Sequence, residues 1–146
     1  MTRLTTIRPE FVEFIPKELE DGVLYISIPY STTVHKCACG CGSKITLPIS
    51  PAKWRLLWDG DTISMWPSVG NWSYPCQSHY WIERNHIEWA PRMTRGRIET
   101  NRALDKADRE NYLKSHSQTT RTDAKTRLDS GRGLIDRLRG LIRRRR

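Results

Sequence analysis

Three cysteines at alternate positions, Cys37, Cys39 and Cys41, share a segment with Gly40 and Gly42, and a fourth, Cys76, follows 35 residues after Cys41. No other feature restricts the fold of this chain so strongly. Zinc takes four ligands at tetrahedral angles, with Zn–S bonds of about 2.3 Å. In a straight strand, residues 37 and 41 would stand about 13 Å apart, too far to share one ion. Glycine removes that obstacle by letting the backbone turn around the metal. The pattern therefore predicts a structural zinc site of Cys37, Cys39, Cys41 and Cys76, with Cys76 tying the knuckle to a distant strand. Replacement of one thiolate by His35 or His79, and free buried thiols or a disulfide, are the alternatives. A zinc-deaminase site is excluded, because that chemistry needs H-x-E and a later P-C-x-x-C. Here residue 37 is Cys, and Pro75-Cys76 is followed by Gln77, Ser78 and His79.

The segments around the cysteines are those of a mainly β domain. Gly22–Tyr30 combines β-branched and aromatic residues with partial alternation, as a strand does. The segments TTVHKCAC and SKITLPI flank the knuckle as two further strands. Asp59-Gly60 is a strong hairpin signal between two apolar runs, although Trp54–Trp58 could instead form a short helical turn after Pro51. HYWIERNHIEWA predicts a second hairpin with Arg84-Asn85 at its tip. Short strands at close spacing, joined by Gly and Pro turns, predict a small zinc-stabilised sheet or barrel.

Charge separates this part from the rest. The net charge of +9 invites a nucleic-acid reading. Residues 1–92, however, hold 9 basic and 9 acidic side chains, whereas residues 93–146 hold 16 and 7. All six Trp lie in the first part. Residues 1–92 thus form the predicted β domain, and 93–146 a basic arm, partly helical or disordered. Residues 97–115 have the composition of an exposed helix, and 115–130 that of a polar linker. Leu134, Ile135, Leu138, Leu141 and Ile142 fall on one face of an amphipathic helix over 133–143. Its arginines suit acidic protein, nucleic acid or an anionic membrane surface. No apolar run is long enough for a membrane span, and the first residues lack a secretory pattern, so the expected location is cytoplasmic.

Strand geometry suggests chemistry beside the metal. If Cys37 and Cys76 lie on neighbouring antiparallel strands, the residue two before one faces the residue two after the other. That pairing would join His35 to Ser78, a base to a nucleophile, at a cross-strand Cβ distance of about 4.5–5.5 Å. The zinc would fix the pair without catalysing. Both residues could equally serve as hydrogen-bond partners of the ligands. His79 would point to the opposite face, and Ser64, Ser68 and Ser73 have no base placed beside them. Pro67–Trp72 predicts a turn whose Gly70 could approach a ligand or offer an oxyanion donor. His86 and His116 carry no argument.

The ordered set His35-Lys-Cys-x-Cys-Gly-Cys-Gly, Trp54, Asp59-Gly60, Pro67-Ser68-x-Gly70-Asn71-Trp72, Cys76-x-Ser78-His79-Tyr80-Trp81-Ile82 and Trp89-Ala90 resembles a small bacterial family, the BubE-like proteins. These are encoded beside ubiquitin-like conjugation genes of the Bub type. The resemblance covers roughly residues 22–90. It implies a serine peptidase that trims a ubiquitin-like precursor to expose the C-terminal glycine used for activation, beside a structural zinc, in bacterial antiphage defence. The implied partners are that precursor and the activating-enzyme-like and conjugating-enzyme-like proteins of the same operon. His35, Ser78 and His79 match the family's polar positions, with Ser78 expected as nucleophile and His35 as base. Asn71 and Asp59 are candidates for an orienting third group. The competing expectation is a non-catalytic zinc module that binds a ubiquitin-like protein or nucleic acid.

Overall fold

The structure is a computed structural model that describes residues 2–117. Two compact units are distinguished, Met1–Ala103 and Leu104–Arg146. The first is mainly β, with eight strands in two four-stranded sheets. One sheet has the order β1 (Arg8–Phe11), β2 (Val23–Ser27), β3 (Thr32–Lys36), β4 (Lys44–Pro48). The other is β5 (Arg55–Trp58), β6 (Ile63–Gly70), β7 (His79–Glu83), β8 (His86–Trp89).

Most of these strands coincide with the apolar runs of the sequence. Both predicted hairpins form, β5–β6 around Asp59-Gly60 and β7–β8 around Arg84-Asn85. The tip residues Arg84 and Asn85 adopt φ of 48° and 65°, the left-handed pair that matches the twist of a two-residue hairpin. Trp54–Trp58 is extended, not a helical turn. Strand β1 carries no sequence signal, because a four-residue segment containing Pro9 shows no alternation. It is recruited in parallel to β2, with Arg8 opposite Val23 and Phe11 opposite Ile26.

The sheets share one core. Leu24, Ile26, Ile45 and Leu47 come from the first, and Ile63, Met65, Val69, Tyr80, Ile82 and Ile87 from the second. Thr33 and His35 on β3 reach the other sheet directly, at Met65 Sδ (3.8 Å) and Tyr80 Oη (2.8 Å). The margins are stitched as well. Ile49 bridges Trp54 between β4 and β5, and Thr6 bridges His86 at the edge of β8. Those links occupy backbone groups that open edges would leave unpaired.

Residues 95–117 are helical, α1. Ile98 is its buried anchor in the first unit. No helix among the described residues is long and apolar enough to cross a membrane. The amphipathic segment expected at 133–143 lies outside the described residues. Because Leu24 is fully buried in the shared core, Leu24→Ala should cost about 2–5 kcal/mol. Urea unfolding of the purified variant would measure it, and a loss below about 1 kcal/mol would contradict a core position.

Candidate active site and metal centre

The cysteines meet at one end of the sandwich. Cys37, Cys39 and Cys41 occupy the turn between β3 and β4, which closes through Cys37 N–H to Ser43 O (2.8 Å) and Gly40 N–H to Cys37 O (3.0 Å). Gly40 and Gly42 adopt φ of 81° and 76°, values that a side chain would strain. Cys76 comes from the loop between β6 and β7. All four sulfurs lie within 4.8 Å of one another. Tetrahedral Zn–S bonds of about 2.3 Å place sulfurs about 3.8 Å apart, so the cluster has the size of a four-thiolate site. No disulfide is formed: Cys37 Sγ and Cys39 Sγ are 3.3 Å apart, well beyond the roughly 2.05 Å of an S–S bond. No histidine enters the set, so neither His35 nor His79 replaces a thiolate in it.

The thiols differ in acidity. Burial raises the pKa of Cys37, partly offset by its hydrogen bond with Ser78, and burial also raises that of Cys39. For Cys41, burial is outweighed by hydrogen bonds to Ser43, Cys39 and Cys76, which bring it down to about 6. One thiolate thus forms easily, and a cation would drive off the remaining protons as it bound.

The expected pairing of His35 with Ser78 rests on a premise that the topology overturns. Cys37 and Cys76 are not on neighbouring strands, since β3 pairs with β2 and β4, and Cys76 precedes β7, which pairs with β6 and β8. They meet across the sandwich, so strand register does not relate them. His35 is fully buried and its Nε2 bonds with Tyr80 Oη at 2.8 Å. Burial lowers its pKa to about 4. Ser78 instead receives an N–H from Asn71 Nδ2 (2.8 Å) and lies 3.0 Å from Cys37 Sγ.

A different serine and histidine do meet. His79 Nε2 is 2.9 Å from Ser68 Oγ. Ser68 had no base beside it in the sequence because the contact comes from the pairing of β6 with β7, which a single segment does not reveal. Between the pairs Met65–Ile82 and Val69–Tyr80, β6 advances four residues while β7 advances two. Such insertions bend a strand and re-aim its side chains. Gly70 is opposite His79, and the space over it is taken by Trp72: a Cβ there would overlap the indole at Nε1 and Cε2. Trp72 and Trp81 flank the imidazole, with ring centroids 5.0 and 5.1 Å from it. Desolvation by burial lowers the pKa of His79, which favours the neutral ring that a proton acceptor needs. Its Nδ1 has no hydrogen-bond partner among the described residues. The sequence clues to this dyad were His79 itself, already a candidate, and the density of the Pro67–Trp72 motif.

The candidate third groups are engaged elsewhere. Asp59 accepts from Thr62 N–H, Thr62 Oγ1 and Asp61 N–H, which hold its pKa at about 2 within the hairpin turn. The Asn71 amide serves Ser78 and Cys37. Its backbone N–H donates to Ser78 O at 2.9 Å, so it is not a spare oxyanion donor. Trp72, which packs against His79, walls with Gln77 a cavity of about 480 Å³ that Met93, Ile98 and Arg102 complete.

A half-buried serine hydrogen-bonded to a neutral histidine is the arrangement by which hydrolases activate a hydroxyl. Residues 11–90, which contain the whole constellation, match the family described as the bacterial ubiquitination-like system serine protease, BubE. The chain belongs to the BubE family. That membership identifies a serine protease in coarse terms, and the BubE match spans both the cysteine cluster and the Ser68–His79 pair. No curated protein and no solved structure matches the chain.

Removing one sulfur should loosen the whole end of the sandwich. Cys76→Ser is expected to lower metal content well below that of the unaltered protein and reduce Tm on the order of 10 °C, equivalent to about 2 kcal/mol. Metal analysis and thermal melts would read both. Unchanged content and Tm would exclude Cys76 as a ligand.

Proposed function

We propose that this protein is a peptidase that processes the C-terminus of a bacterial ubiquitin-like protein, with Ser68 as nucleophile and His79 as general base. The observation that carries the reading is the 2.9 Å contact between Ser68 Oγ and His79 Nε2 in a chain of the BubE serine protease family. The sequence-based choice of Ser78 with His35 has less support. His35 is enclosed and bonded to Tyr80, and Ser78 is engaged with Asn71 and Cys37.

In this mechanism Ser68 Oγ attacks the scissile carbonyl carbon as its proton passes to His79 Nε2. The tetrahedral adduct collapses, the C–N bond breaks, and the protonated ring returns its proton to the leaving amine. Water then attacks the acyl-serine, again deprotonated by His79, and the carboxylic product leaves with Ser68 regenerated. Trp72 and Trp81 hold the ring in place of a carboxylate partner on Nδ1. The cavity against Trp72 gives room for an extended substrate tail.

Zinc is the metal we assign to the four thiols, because a closed tetrahedral thiolate set suits it. With every coordination position taken by sulfur, it would supply structure and no open site for substrate. Antiphage defence, action beside the activating-enzyme-like and conjugating-enzyme-like proteins, and a cytoplasmic location belong to the same reading.

The test is to incubate the protein with a bacterial ubiquitin-like precursor and follow the intact mass. Ser68→Ala should abolish processing, and His79→Ala should slow it by about 10²–10⁴-fold. Full activity of Ser68→Ala would remove it as nucleophile. The pH profile gives an independent check. His79 must be neutral to accept a proton, and its pKa is held below the ordinary 6.5 by burial. The acid limb of kcat/KM should therefore fall below pH 6.5, with activity lost as pH drops through it. A limb above pH 7 would point to another base.

A further inference from the structure

We infer that Asn71 and Ser78 form a hydrogen-bonded clamp on the Cys37 sulfur, securing the metal in the cluster and positioning Trp72 and His79 of the dyad. The inference rests on the reading of the four thiols as a metal site and of Ser68 with His79 as the catalytic pair.

The direction of each bond follows from chemistry. The Asn71 amide nitrogen can only donate, so Ser78 Oγ accepts from it at 2.8 Å. The Ser78 hydroxyl keeps its own proton to give. Cys37 Sγ at 3.0 Å is its nearest acceptor, with Cys76 Sγ farther off at 3.6 Å. A metal-bound thiolate has no proton and accepts only, so the chain runs from amide to hydroxyl to sulfur. Asn71 Nδ2 also lies 3.4 Å from the same sulfur. Hydrogen bonds to an ionised acceptor are stronger than neutral ones, and these are sealed from water. Asn71, Ser78 and Cys37 are 5%, 6% and 1% exposed.

The clamp also spans the neck of a loop. Asn71 N–H donates to Ser78 O at 2.9 Å, which closes residues 71–78 at their base, with Cys76 inside the loop. The residue after Asn71 is Trp72, and the residue after Ser78 is His79. These are the two rings packed against each other over Gly70. A cluster that grips Cys37 and Cys76 therefore sets the two backbone positions from which the dyad's base and its aromatic wall project. Ser78 and Asn71 are positioning residues in this scheme. Neither touches the reacting atoms.

The experiment uses the full chain loaded with Co²⁺ or Zn²⁺. Ser78→Ala should release the metal to a chelator about 10–100-fold faster. It should also move the thiolate-to-cobalt charge-transfer band to lower energy, because the sulfur loses a hydrogen bond. Ser78→Thr, which keeps the hydroxyl, should restore both. Zinc-saturated Ser78→Ala should turn over the ubiquitin-like precursor more slowly because His79 is less well placed, with Ser78→Thr restoring the rate, whereas Ser68→Ala should not turn over at all. If Ser78→Ala does not fold, Asn71→Ala removes the other donor and should show the same release and spectral changes. Release rate and band unchanged in these variants would overturn the clamp while leaving the metal site standing. Zinc-saturated Ser78→Ala that is inert with its metal firmly held would overturn it in favour of Ser78 as nucleophile. If the unaltered protein takes up neither ion, the metal reading fails, and the clamp fails with it.

Discussion

Four thiols converge from two loops that belong to different sheets, and the proposed metal would tie those loops together. The turn holding Cys37, Cys39 and Cys41 closes one hairpin, while Cys76 sits in the connection between β6 and β7. Apolar packing alone holds sheets face to face with little resistance to sliding, because it is non-directional. Bonds from the four sulfurs to the proposed metal, and the hydrogen bonds joining Ser78 and Asn71 to Cys37, are directional. They fix the end of the sandwich at which the serine and histidine meet.

The dyad then depends on the pairing of β6 with β7, which is irregular. With regular pairing maintained from Met65–Ile82, the register would differ by two residues at Tyr80. Unbroken register would set Ser68 directly opposite His79; the shift sets Gly70 there instead, and Ser68 meets the imidazole at 2.9 Å from two residues along the strand. Gly70, opposite that histidine, leaves the space that Trp72 occupies. A desolvated, neutral imidazole between two indoles is a reasonable substitute for the carboxylate that orients the ring in a full triad, since packing can restrict a ring as a hydrogen bond does. What it does not supply is charge to stabilise an imidazolium.

Much of the fold was legible because its signals are local. The alternation in Val23–Ser27, the turn residues Asp59-Gly60 and Arg84-Asn85, and the glycines of the cysteine knuckle each report on a few bonds of backbone. The mainly β class and the four clustered thiols follow from them. Strand β1 escaped notice because its pairing with β2 is parallel and its four residues carry no period. The site was only half legible. His79 stood out as a candidate, but Ser68 was set aside as an ordinary serine. The relation between them requires knowing that β6 pairs with β7 and that His79 turns away from the core face occupied by Tyr80.

By itself, the sequence determined the metal-binding composition, the hairpins, and the segregation of charge into residues 93–146. These depend on residue type at short spacing, where backbone geometry leaves few choices. The tertiary structure decided which side chains meet. It put Cys37 and Cys76 on loops of separate sheets, gave His35 to Tyr80 and Ser78 to the cysteines, and brought Ser68 to His79. Each of those contacts depends on register and on the facing of two sheets. A single strand's pattern carries no record of either, because it specifies which face a side chain takes and not what stands across from it.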